Sequence, residues 1–263
     1  MNTAQVYCLF VFLWSASNVV ASDFPAIERT DENSRIAHQE LLEKARHGKI
    51  DVYFLGDSIT RRWGCTDPQW SELLANWKKN FFGWNAADFG WGGDTTHNAL
   101  WRVENGELDE VNPKVIVLQI GTNDIGGRRY NDSEAQKKVE EVTRGVKAII
   151  AVCQAKAPDA TILLTGIFPR NDNPTAGPVI EGINENLAQL ANAERIHFLN
   201  INGELSGSQK RLRPEMTVDG LHLSAGGYQV WADALKPQLT ELLGPPADED
   251  LAPLPTGDPS LRR

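Results

Sequence analysis

The sequence predicts an α/β protein in which a doubly wound, five-stranded parallel sheet is sandwiched by helices. Three observations predict it. Short apolar runs alternate five times with amphipathic stretches of helical period, the order that crossovers of a single hand generate. The runs are nearly continuous in apolar side chains, as strands covered by helices on both faces must be. A chain of 263 residues, 41% hydrophobic and 23% charged, suits one large domain with a sizeable core.

Each element has its own warrant. Residues 33–47 set Ile36, Leu41, Leu42 and Ala45 among Glu, Lys and Arg, which predicts a helix with His38 and His47 at its surface. Residues 51–55 form the first strand, which ends abruptly in Gly56-Asp57-Ser58. Residues 68–77 read as a helix, with Pro68 in its first turn and Trp70, Leu73, Leu74 and Trp77 on one face. The second strand, residues 84–89, runs into Gly90, Gly92 and Gly93, which let backbone N–H groups approach whatever sits there. Asp94, Thr95 and Thr96 then cap a helix over 96–104 that stops at Asn105-Gly106. Residues 115–120 are the third strand, with Gly121-Thr122-Asn123-Asp124 at its carboxyl end. A long helical pattern over 131–156 stops at Pro158. Residues 161–165, 180–193 and 196–199 supply the fourth strand, a helix and the fifth strand. A closing amphipathic helix over 224–243 turns Tyr228, Val230, Trp231, Leu235 and Leu239 inward.

The two ends stand apart from residues 22–243. Residues 1–21 carry an apolar stretch from Val6 to Ala16 and a small residue, Ala21, suited to cleavage before Ser22, so a secretory signal peptide and a secreted or periplasmic location are expected. Residues 244–263 are rich in Pro, Asp and Gly and read as a disordered tail. No later stretch is long and apolar enough to insert stably in a membrane. A net charge of −9, without a Lys/Arg cluster, argues against nucleic acid as a partner. The pattern Gly90-Trp91-Gly92-Gly93-Asp94-Thr95 lacks the third glycine of a dinucleotide loop, so no cofactor is expected. None of the five histidines shows metal-ligand spacing, so no metal is expected either. Cys65 and Cys153 read as free or buried thiols.

Sheets of this kind place their sites beyond the carboxyl ends of the strands, and there the motifs collect. A serine hydroxyl attacks an ester only when a base takes its proton and N–H donors receive the oxyanion. Asp219-Gly220-Leu221-His222 lets one short loop aim a carboxylate at one imidazole nitrogen and leave the other free. Ser58 is then the candidate nucleophile, His222 its base and later acid, and Asp219 the group that fixes the tautomer. Candidate oxyanion donors are the N–H groups of Ser58 and Gly93 and the amide of Asn123, for which a turn role beside Asp124 is the alternative.

These four blocks resemble those of the SGNH (GDSL-type) hydrolases over about residues 50–243. Within that superfamily, the stretches 88–96, 100–102, 104–108 and 113–117 are similar to the catalytic subunits of platelet-activating factor acetylhydrolase type Ib. The resemblance implies a flavodoxin-like sheet and a Ser–His–Asp esterase using Ser58, Gly93 and Asn123 as its oxyanion hole. Secreted carbohydrate O-acetylesterases share the framework. The expected activity is hydrolysis of short acyl esters, acetyl esters first, with acetylated carbohydrates among the substrates. Trp63, Trp91, Arg128, Arg129 and Tyr130 would lie near the site, able to hold a pyranose or to pack beneath it. The competing readings are a lipase or lipid deacetylase, acyl transfer to an acceptor other than water, and a non-catalytic partner subunit. A homodimer is left open.

Overall fold

The computed structural model describes residues 23–262 except Pro174, Ala193, Ser208 and Gln209; the signal peptide expected over residues 1–21 lies outside them. The apolar runs become β1 (Val52–Gly56), β2 (Ala86–Gly90), β3 (Val115–Gln119), β4 (Thr161–Thr165) and β5 (Ile196–Leu199). They pair in parallel throughout, in the order β2-β1-β3-β4-β5. This is the doubly wound class that the alternation predicts.

Because side chains alternate across a strand, each strand feeds two cores. Tyr53, Leu55, Ile116 and Leu118 pack with residues of α1 (Glu32–Ala45), α4 (Thr96–Arg102), α6 (Asp132–Lys156) and α7 (Ala176–Ala188). Val52, Phe54, Val115, Val117 and Leu163 pack with α2 (Ser58–Gly64), α3 (Ser71–Phe81) and α9 (Ala225–Leu243). The second core is aromatic: the Phe54 ring lies 4.6 Å from Trp77 and 5.0 Å from Phe81, and Trp63 stacks 5.0 Å from Trp231. Such ring pairs add about 0.5–1.5 kcal/mol each beyond the apolar area they bury. Two short helices, α5 (Thr122–Ile125) and α8 (Asn202–Leu205), complete the layers.

Several details differ from the sequence reading. The stretch expected as one helix over 68–77 is a 3-10 turn, Pro68–Trp70, followed by α3. The helices α2 and α5 begin on the Gly-Asp-Ser and Gly-Thr-Asn-Asp motifs themselves and are too short to show a period. His38, expected at the surface, is buried against Glu107, with Nδ1 2.8 Å from Oε1. Cys65 and Cys153 are both buried, and burial pushes each thiol up to about 12.

The expectation of a disordered tail is not met, since residues 244–262 follow a defined path across the ends of α3 and β2 and along α1. Trp84 Nε1 donates to Gly244 C=O at 3.0 Å, and Leu251 N–H donates to Asn85 Oδ1 at 2.7 Å. Asp250 accepts from Gly83 N–H at 2.7 Å, and Asp258 accepts from Asn33 Nδ2 at 2.8 Å. Lys49 N–H and Thr66 N–H donate to Leu251 and Thr256 carbonyls. Polar pairing holds the tail, whereas its Leu251 and Leu254 remain exposed.

β1 is linked onward to β2 on one side and has β3 on the other, so the loops leaving β1 and β3 diverge. That switch point opens the crevice where sheets of this order bind ligands.

Candidate active site

β1 leaves the sheet at Gly56, and Asp57 caps α2 by accepting from Ile59 N–H at 2.9 Å. Ser58 is therefore the first residue of α2, half-buried, with an N–H that has no acceptor inside the helix. On the far side of the crevice, a tight loop presents His222. Thr217 Oγ1 donates to the His222 carbonyl at 2.7 Å and accepts from Gly220 N–H at 2.9 Å. Gly220 has φ +83°, a conformation that a side chain would strain.

Inside that loop Asp219 Oδ1 accepts the N–H groups of Leu221 at 3.0 Å and His222 at 2.8 Å. Its other oxygen, Oδ2, lies 2.6 Å from His222 Nδ1, and His222 Nε2 lies 2.9 Å from Ser58 Oγ. The three side chains form one continuous line across 164 residues of sequence. Burial raises the Asp219 carboxyl, but hydrogen bonds from the His222 backbone, the imidazole and Leu221 outweigh it and bring the group down to about 2. His222 is shifted below its ordinary value, chiefly by burial and then by the charge of Arg62, against the pull of Asp219. A carboxylate that stays ionised thus holds a proton on Nδ1, leaving Nε2 with a lone pair toward Ser58. That arrangement can take the hydroxyl proton as Oγ attacks a carbonyl carbon.

The candidate donors come from the carboxyl ends of β1, β2 and β3, which are neighbours in the sheet. A Cβ on Gly92 would lie 3.8 Å from Ser58 Cβ, so the loop after β2 borders the nucleophile. Gly93 follows at φ +82°. Among the described residues, neither Ser58 N–H nor Gly93 N–H donates to a protein acceptor. Asn123, half-buried, spends one amide hydrogen on Asp94 C=O at 2.9 Å, which fixes its side chain and leaves the other hydrogen available. The neighbouring Asp124 makes a long-range contact. Its carboxylate accepts from Thr96 N–H at 2.9 Å and Thr96 Oγ1 at 2.6 Å, tying α5 to α4.

Sequence reasoning missed the arginines that hold this geometry. Arg170 donates to Thr122 C=O at 2.8 Å while gripping Asp172 with two bonds of 2.7 Å. Buried Arg102 bonds Asp94 at 2.7 Å and also Glu107, and these two anions raise its affinity for its own proton. Arg29 reaches the loop from before α1. Arg102 falls in the stretch 100–102 already noted for its resemblance, without a role read for it, whereas no short-range pattern marks Arg29 or Arg170. Arg62, next to the nucleophile in sequence, sits over Trp70 at 4.3 Å and 3.4 Å from Asp219 Oδ2.

The aromatic residues expected near a sugar divide differently. Trp63 is fully buried, with Nε1 donating to Asn76 at 2.9 Å, and Trp91 is buried with Nε1 on Ser34 Oγ at 2.9 Å. Both are buried, which leaves little of either ring for a pyranose to stack on. Arg128 and Arg129 are exposed, and the Tyr130 hydroxyl donates to Ile125 C=O.

A five-stranded parallel sheet of this order, flanked by helices, is the α/β framework of the SGNH-type hydrolases, and at its switch point a serine, an imidazole and a carboxylate are aligned. Within that class, the chain belongs to the GDSL-like Lipase/Acylhydrolase family, which it matches over residues 54–230, and by that membership it is a carboxylic ester hydrolase. Platelet-activating factor acetylhydrolase IB subunit alpha1 of Bos taurus is 32% identical over 226 residues, a span covering 84% of this chain and 89% of the relative. A GDSL-like lipase from Bacteroides thetaiotaomicron shares the fold, with TM-score 0.61 and 20% identity over 80% of this chain and 98% of that one. An acetyl-xylooligosaccharide esterase from Geobacillus Stearmophilus does too, with TM-score 0.53 and 18% identity over 75% of this chain and 96% of that one.

Proposed function

We propose that the chain is an exported serine esterase that removes short acyl groups, acetyl foremost, from alcohols. The observation that carries this is the unbroken line from Asp219 Oδ2 through His222 to Ser58 Oγ, at 2.6 and 2.9 Å. Ser58 Oγ attacks the ester carbonyl as Nε2 takes its proton. The oxyanion is received by the N–H groups of Ser58 and Gly93 and the amide of Asn123, and the collapsing intermediate expels the alcohol with the proton from His222. Water repeats the cycle on the acyl-enzyme. Removing a single donor of this kind lowers kcat on the order of 10²–10³.

The preference for acetyl is supported by the name of the Bos taurus relative, an acetylhydrolase, and by motif spacing that leaves no room for a lipid-covering insertion. Acetylated saccharides are the proposed natural class. Expected export favours them, as do the charged groups of Arg62 and Asp172 that face the Asp219–His222 pair, although not the tryptophans. The same relative favours a second reading, acetyl removal from a phospholipid. The test is hydrolysis of p-nitrophenyl esters from acetate to decanoate, alongside an acetylated xylooligosaccharide and a short-chain acetyl phospholipid. Highest kcat/KM on acetate with acetate release from the saccharide is expected. A maximum at long chains overturns the short-acyl reading, and turnover of the phospholipid alone transfers the proposal to lipids.

A further inference from the structure

We propose that Arg29, in the segment preceding α1, positions the oxyanion donor of Gly93. The inference rests on the reading of Ser58 as nucleophile. Arg29 Nη1 donates to Gly92 C=O at 3.0 Å and lies 3.4 Å from Asp94 Oδ1, while Nε donates to Asp31 at 3.1 Å. The Gly92 carbonyl and the Gly93 N–H belong to one peptide unit. The structure contains no cis peptide among its described residues, so the two groups point in opposite directions. A cation fixing the oxygen on one side therefore fixes where the N–H points on the other.

Two consecutive glycines have no side chains to hold that plane, and Gly93 sits at φ +82°. The guanidinium supplies the missing constraint. It also draws density from the carbonyl, which strengthens the N–H as a donor in a low-dielectric setting. Gly93 is closely fitted to it, because a Cβ there would lie 3.2 Å from Arg29 Nη1.

The clamp is itself anchored. Asp94, fully buried, takes Arg102 Nε at 2.7 Å, and Arg102 reaches on to the carbonyls of Phe89 at 2.9 Å and Gly56 at 3.2 Å. Charge thus links Arg29 to the carboxyl ends of β1 and β2, the two strands that deliver Ser58 and the glycines. The segment carrying Arg29 is laid over α4 by Ile27 N–H on His97 C=O at 3.0 Å and Asn98 Nδ2 on Ile27 C=O at 2.9 Å. Beside the guanidinium lies a cavity of about 190 Å³ lined by Arg29, Ser34, Trp91 and Trp101.

An oriented donor matters most when the oxyanion exists, so loss of Arg29 should fall on kcat and spare KM. In the full chain, Arg29→Met is expected to lower kcat on p-nitrophenyl acetate about 10- to 100-fold, less than deletion of a whole donor, with KM within about twofold. Arg29→Lys should recover part of the loss. Guanidinium chloride at low concentration should restore part of the activity of Arg29→Ala and none to Ser58→Ala. The rate at which a p-nitrophenyl phosphonate, whose adduct carries a tetrahedral oxyanion-like oxygen, labels Ser58 should fall in parallel with kcat. Arg29→Met with kcat within twofold of the parent overturns the inference. So does a loss of kcat that tracks a loss of melting temperature and shows neither Lys nor guanidinium rescue, since the segment is then only structural. Full turnover in Ser58→Ala instead removes the reading beneath it, whatever Arg29 does.

Discussion

His222 carries the most informative single value in the site. Burial disfavours its protonated form, the guanidinium of Arg62 adds to that, and the hydrogen bond to Asp219 opposes both without prevailing. The imidazole is therefore neutral down to a pH below the ordinary 6.5, and the acid limb of kcat/KM should lie below that value. Arg62→Gln removes a positive charge from beside the ring, makes protonation easier, and should move the limb upward. A pH series on p-nitrophenyl acetate checks both. A parent limb above 6.5, or a downward move in the variant, contradicts this balance. Ser58, Asp219 and His222 were legible in the sequence because each ends a strand run or shares a loop only three residues long between partners. Arg29 and Arg170 were not, because their carbonyl partners lie 63 and 48 residues away and neither arginine sits in a motif.

At the scale of elements, the apolar runs and long helices were readable from period alone, whereas α2 and α5 were not. Their capping groups come from the motifs, and Asp57 is the clearest case. Its carboxyl is fully buried, and burial pushes it up to about 7 while its Oδ1 accepts from Ile59 N–H. Between the unfolded value of 3.8 and about 7 the folded chain binds the extra proton. The contribution of this group to stability is therefore full below the unfolded value and lost as pH rises through the folded one. Asp57→Asn keeps the capping oxygen and cannot ionise. Its melting temperature relative to the parent should rise between about pH 5 and about pH 8. Thermal melts of both proteins at the two values decide it, and a difference that does not change with pH speaks against a buried titrating carboxyl.

For the whole molecule, the three-layer sandwich of one sheet between two sets of helices, and the position of the site at the carboxyl ends of its strands, followed from the alternation. The carboxyl-terminal segment did not. Its composition reads as disorder because it offers little to bury, yet Asp250, Asp258 and a series of backbone groups pair with the turns around Gly83, Asn85, Lys49 and Thr66. Each such bond contributes about 1 kcal/mol net before the entropy of ordering the segment is subtracted. Ending the chain after Leu243 should lower the melting temperature by several degrees, since about 1 kcal/mol corresponds to roughly 2–4 °C in a chain of this size. Calorimetry of the truncated and complete chains measures it, and equal melting temperatures would mean that the tail pairs without stabilising.

The fold, the switch point and the aligned side chains all converge on one hydroxyl, and covalent labelling interrogates it directly. The chain is treated with a p-nitrophenyl phosphonate, and intact mass, peptide mapping and residual esterase activity are followed together. If Ser58 is the nucleophile, one adduct per chain forms on Ser58, activity falls in step with labelling, and Ser58→Ala is both unlabelled and inactive while melting like the parent. Hydrolysis that persists with Ser58 fully phosphonylated, or a stoichiometric adduct on another residue, would contradict it.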